Sequence, residues 1–198
     1  MKTHGENFIV QYDKGSIRNY DLGSGIVIEI AAECNVDIRG NSDQIGTIVS
    51  APADEKFFKD GDTVLTHYLA SADSGRFSYG GQDYYKVTKA QMFAKIHEDG
   101  ELEPAEDIYF CSDIVVDSTT ESGILTTIDG KKNELLRLVI THIPSSINKM
   151  WADDKINVGD VIMPFDNYNY RFTYNKKEYV KIEHKFISGV YLDEKKST

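Results

Sequence analysis

Cysteine is scarce in this chain: Cys34 and Cys111 are the only two among 198 residues, and neither belongs to a C-x-x-C pair. That argues against a disulfide framework and a sequence-local zinc site, and it fits a reducing, cytoplasmic setting. Long apolar runs are missing too. No stretch reaches the ~18 apolar residues of a membrane-spanning helix, and the opening MKTHGENFIVQ has no apolar core of an export signal, so no membrane partner is expected. Basic residues are in the minority, 22 Lys and Arg against 32 Asp and Glu, for a net charge of -10. They are also scattered, so a nucleic-acid partner is not expected. Enzyme signatures are lacking as well. There is no G-x-S-x-G and no phosphate-binding loop, and His4, His67, His97, His142 and His184 are not spaced as H-x-x-x-H. No catalytic residue, metal or cofactor is therefore assigned. The stretch LGSGIVIE (Leu22 to Glu29) is not a dinucleotide fingerprint, because Ile28 stands where a third Gly or Ala is needed.

What the chain does have is self-similarity. SGIVI at Ser24 to Ile28 matches SGILT at Ser122 to Thr126, and DGDTVL at Asp60 to Leu65 matches VGDVIM at Val158 to Met163, both displaced by 98 positions. Phe77 to Ile96 lies against Phe172 to Tyr191 at a displacement of 95. Two copies of one module are expected, residues 1–99 and 107–198, each of ordinary domain size. The acidic, Gly- and Pro-containing stretch His97 to Asp107 has the composition of an exposed linker, placed at 100–106.

Within each copy the apolar residues fall in short β-branched or aromatic runs bounded by Gly, Asp, Asn and Pro. ENFIVQY, IGTIV, DTVLTHYL and DYYKV belong to the first copy, and IYFCSD, LRLVITHI, GDVIMPF, YRFTY and EYVKIE to the second. The pattern predicts an all-β chain of two small closed or nearly closed barrels, with KAQMFAKI as one candidate helical segment. The Gly-Asp pairs before TVL and VIM read as turns in which Gly supplies a left-handed backbone.

The order of these features resembles the GroES family of co-chaperonins, in two tandem units that span nearly the whole chain. The matching residues are Gly25-Ile26-Val27-Ile28, Gly46-Thr47-Ile48-Val49, Gly61-Asp62-Thr63-Val64 and Asp83-Tyr84-Tyr85-Lys86-Val87 in the first copy. In the second they are Gly123-Ile124-Leu125, Gly159-Asp160-Val161-Ile162 and Glu178-Tyr179-Val180-Lys181-Ile182. The resemblance implies two GroES-like barrels whose mobile loops insert Ile26, Val27 and Ile28, and Ile124 and Leu125, into an apolar groove of a GroEL-like chaperonin ring. It further implies a homo-oligomeric ring of modules, an unfolded client protein inside the cage, and Tyr168 facing that cavity, where the first copy has Ala70. Nucleotide hydrolysis would belong to the chaperonin.

The chain departs from the family pattern at Ser24 and Ser122, where a first glycine is usual, and at Thr126, where a third aliphatic residue is expected. SAPADEKFFKDGD is too short for the usual roof hairpin, a lack shared with bacteriophage co-chaperonins, which would place the protein in a host cytoplasm. Two further readings stand beside this one. The aromatics Phe165, Tyr168, Tyr170, Phe172, Tyr174 and Tyr179 near Lys176 and Lys177 could stack bases, although alternating aromatics more often form one core face. The same two barrels could also serve as a structural or adaptor protein, for example a virion component.

Overall fold

Phe8, Val10 and Tyr12 alternate with Asn7, Ile9 and Gln11, the two-residue period of an extended chain with one face turned into a core. In the computed structural model this run is strand β1 (Asn7–Tyr12). The structure describes residues 5–12, 17–21, 27–31, 44–71, 75–113, 137–148, 150, 155–165 and 170–191, and of 17–21, 27–31 and 191 the backbone alone. The chain divides into two compact units, residues 1–105 and 106–198.

In the first unit β1 is followed by β2 (Ile17–Asp21), β3 (Val27–Ala31), β4 (Ile45–Ser50), β5 (Thr63–Thr66), β6 (Arg76–Tyr79), β7 (Gln82–Thr88), β8 (Met92–Ile96) and β9 (Leu102–Pro104). Seven of these form one antiparallel sheet in the order β6-β7-β1-β4-β5-β8-β9, while among the described residues β2 and β3 pair only with each other. The second unit has β10 (Ile108–Asp113), β11 (Leu138–His142), β12 (Val161–Pro164), β13 (Tyr170–Tyr174), β14 (Lys177–Glu183) and β15 (Ile187–Tyr191). Their order, β13-β14-β10-β11-β12-β15, is that of the first sheet, with no counterpart of β9 beside β15 among the described residues.

The duplication extends to single hydrogen bonds. Gly61 and Gly159 take φ of 88° and 91°. Gly61 N donates to Ile48 O and Gly159 N to Ile140 O, each at 2.8 Å. The Asp of each pair closes the turn: Asp62 Oδ2 accepts from Lys59 N at 2.7 Å, and Asp160 Oδ2 from Asn157 N at 2.8 Å. Pairing irregularities recur as well, between Ile9 and Val10 as between Phe110 and Cys111, and between Leu65 and Thr66 as between Met163 and Pro164. Both edge hairpins turn on two left-handed residues, Gly80-Gly81 in the first unit and Asn175-Lys176 in the second, the backbone that suits the twist of a two-residue hairpin.

Three expectations from the sequence are corrected. The sheets are open, since among the described residues β6 does not pair with β9, nor β13 with β15. In the first sheet the end strands have only four and three residues, which leaves few backbone groups to close a barrel. KAQMFAKI is not helical: Lys89–Gln91 make one 3₁₀ turn, and Met92–Ile96 form β8, where pairing with β5 and burial of Met92, Phe93 and Ala94 outweigh helix propensity. The stretch 100–106 is not all exposed linker. Leu102–Pro104 pair with β8, and Leu102 and Ala105 are buried.

Each unit has its own core. In the first, Phe8 meets Phe58 edge-on at 5.7 Å and Tyr12 meets Tyr85 at 5.2 Å. In the second, Tyr109, Cys111, Leu138, Ile140, Ile162, Val180 and Ile182 form the centre. On the opposite face of that sheet Phe110 packs on Phe172 at 4.9 Å, and Phe172 stacks on Tyr179 at 5.4 Å. The corresponding stack in the first unit is Phe77 on Tyr84.

Candidate functional site

Between β1 and β4, adjacent strands of one sheet, the chain makes an excursion from residue 13 to residue 44. The matching excursion in the second unit runs between β10 and β11. Each carries one of the two Ser-Gly-Ile motifs. In the first, β2 and β3 form an antiparallel ladder in which Asp21 faces Val27 and Tyr20 faces Ile28. Val27 and Ile28 are thus extended backbone of a hairpin that is separate from the main sheet. Gly25 and Ile26 lie in the connection between its strands, outside the described residues. Gly123, Ile124, Leu125 and Tyr168 also lie outside them. Ala70 is buried in the 3₁₀ turn Tyr68–Ser71.

The described residues show how each excursion is held at its base, and the two units do it differently. In the first, Thr66 ties exit to re-entry. Its amide donates to Gln44 O at 2.7 Å, its hydroxyl lies 3.1 Å from the same oxygen, and Tyr12 Oη lies 2.8 Å from Thr66 Oγ1. Both residues are buried, Thr66 completely. Gly46, directly opposite Tyr12, leaves room for the ring: a Cβ there would fall 2.6 Å from Val10 Cγ1, 2.8 Å from Gln11 O and 2.9 Å from Tyr12 Cδ1.

In the second unit the position of Tyr12 is taken by Asp113, that of Gly46 by the fully buried Leu138, and that of Thr66 by Pro164. The small residue and the large one have exchanged strands. Proline offers no amide to the re-entering chain. The exit is instead clamped by Arg171, whose Nη1 and Nη2 reach Asp113 Oδ2 and Oδ1 at 2.5 and 2.9 Å. That hydrogen bond to Asp113 holds the guanidinium above its ordinary pKa. The first unit's equivalent, Arg76, turns to its own hairpin and pairs with Asp83 at 2.7 Å. One excursion therefore rests on a buried neutral network, the other on a half-exposed ion pair. The Gly46/Leu138 and Tyr12/Asp113 exchanges become visible in the sequence once the copies are aligned by strand.

Among the described residues no three His, Cys, Asp or Glu side chains converge as metal ligands. Burial pushes the Cys111 thiol up to about 12, so it carries almost no thiolate at neutral pH. The aromatics read as a base-stacking candidate divide between environments: Phe172 is buried in the sheet face and Phe165 is exposed. No helix among the described residues is long and apolar enough to cross a membrane. No protein-family model and no curated protein sequence matches the chain.

Proposed function

We propose that the chain is a co-chaperonin of two GroES-like modules that caps a chaperonin ring and helps enclose a folding substrate. The observation that carries the reading is the placement of the two Ser-Gly-Ile motifs. Each lies in an excursion between the same two neighbouring strands of a duplicated sheet, so the two copies present equivalent segments from equivalent places. A two-stranded ladder such as β2–β3 is marginal in water by itself, which suits an element that gains order against a partner. Ile26, Val27 and Ile28 offer branched apolar area, worth roughly 1.5–3 kcal/mol each if fully buried, before ordering costs are subtracted. Linked loops would raise one another's effective concentration, so weak single contacts would still hold a removable lid.

The test is nucleotide-dependent capture by a chaperonin ring, read by co-sedimentation and by slowing of the ring's ATPase. Val27→Asp should abolish most of the capture, because an unpaired carboxylate would enter an apolar groove. Leu125→Asp should weaken it less, since Thr126 already makes the second tip less apolar. Both variants should melt as the parent does. Loss of many degrees in Val27→Asp would make that strand part of the core and sink the loop reading. Full capture by a normally melting Val27→Asp would place the contact elsewhere.

A further inference from the structure

We infer that Arg171 is a latch with two positions: it clamps Asp113, where the chain leaves β10, or it turns back to Glu178 on its own hairpin and lets the end of β10 go. The inference compares side-chain pairing in the two copies and stands whether or not the partner is a chaperonin.

An arginine occupies the same place in both edge hairpins. Arg76 faces Tyr85 across β6 and β7, and Arg171 faces Val180 across β13 and β14. Two residues before the facing position each hairpin also carries a carboxylate, Asp83 in the first and Glu178 in the second. In the first unit the hairpin carboxylate is the partner taken, with Arg76 Nη2 at 2.7 Å from Asp83 Oδ2. Ser78, opposite Asp83, donates its hydroxyl to Oδ1 at 2.6 Å and helps hold the carboxylate there. The residue at the end of β1 is Tyr12, which offers no charge to compete.

The second unit has both choices. The residue at the end of β10 is Asp113, and the hairpin pair is Thr173 opposite Glu178. Arg171 takes Asp113 with two nitrogens, a fork that a carboxylate matches with both oxygens. Glu178 stays within electrostatic reach: the guanidinium is held above its ordinary pKa first by the hydrogen bond to Asp113, and then, against burial, by the charges of Asp113 and Glu178. The Arg171–Asp113 pair is half-exposed, so it is worth at most about 1 kcal/mol and the change of partner needs no repacking of the core. Two arrangements this close in free energy are both populated. Their balance decides whether the last residue of β10 is tied to β13. Ionic strength therefore acts on the exit from β10 and not on that from β1, where the Tyr12–Thr66 contact is neutral and buried.

Thr173→Ser/Glu178→Asp rebuilds the first unit's hairpin pair in the second and should draw Arg171 off Asp113. Both residues are exposed, so the core is left alone. Amide exchange followed by NMR should show the Ser112–Val139 and Asp113–Leu138 pairs losing protection by up to about fivefold. The Gln11–Thr47 and Tyr12–Gly46 pairs should keep theirs. Arg171→Gln should give the same loss, and the hairpin change made on top of it should add nothing. In the parent protein, added salt should lower protection at the end of β10 and leave the end of β1 unchanged. Protection that stays at the parent's level in the hairpin variant would overturn the latch. So would an equal loss when Arg171 is already gone, which would make the effect one of strand propensity. If the hairpin variant melts early, the salt comparison decides: equal salt dependence at the two exits, or none at either, overturns the proposal.

Discussion

Gly46→Ala adds one methyl group where the structure has no room for it. The added Cβ would stand 2.6 Å from Val10 Cγ1, 2.8 Å from Gln11 O and 2.9 Å from Tyr12 Cδ1, all on β1. The valine and tyrosine could rotate, but the carbonyl oxygen is main chain, so β1 and β4 must separate locally by some tenths of an ångström. Overpacking of this kind costs about 1–3 kcal/mol. For a unit of roughly a hundred residues this is a fall in melting temperature on the order of 10 °C. The damage has a direction. Pushing Tyr12 outward stretches its 2.8 Å contact with Thr66, the residue that also holds Gln44 where the excursion returns. Calorimetry should show the loss, and hydrogen exchange should place it in β1, β4 and the Thr66 amide while the amides of β10 and β11 keep their protection. Tyr12→Ala added to Gly46→Ala should lower stability further and not rescue it, because two of the three close contacts remain and the buried ring that packs on Tyr85 and meets Thr66 is lost. A single variant that melts with the parent would refute the steric reading of this glycine.

Three smaller perturbations probe the same comparison between copies. Lys176 sits at φ 64° where the first hairpin has Gly81, so Lys176→Gly should stabilise the second unit by about 1 kcal/mol, seen as a rise in denaturant midpoint; an unchanged or lower midpoint would count against strain there. The Asp113–Arg171 pair is partly exposed, with side chains 42 % and 34 % accessible. A double-mutant cycle with Asp113→Asn and Arg171→Gln should therefore give a coupling of at most about 1 kcal/mol that fades with added salt, whereas Thr66→Val, in the buried network, should lose stability independently of salt. The Glu55 carboxyl is pulled two ways: burial raises its pKa, but the Phe57 and Phe58 amides and Lys89 together bring it below the ordinary 4.5. Its contribution is therefore present above pH 4.5 and lost as pH falls through the lowered folded value, and Glu55→Gln should flatten that part of an acid titration of stability.

Much of the architecture was legible in the sequence because it depends on local chemistry written twice. The Gly-Asp turns could be read from dipeptides, since only glycine takes φ near +90° without strain, and the strands could be read from short β-branched runs. The common displacement of 98 positions by itself assigns those elements to two units. Tertiary structure decided what the pattern left equal. Met92 to Ile96 can be helix or strand by propensity, and the open edge of β5 made it β8. The stretch after His97 is acidic enough for a linker, yet the edge of β8 drew Leu102 to Pro104 into the sheet. Glycine at 46 and leucine at 138 look like drift until the strands are paired, when each proves to match the size of the residue across from it. Composition could not reveal the clamp between Asp113 and Arg171 either, because 58 residues separate them and only the fold brings β13 and the end of β10 together.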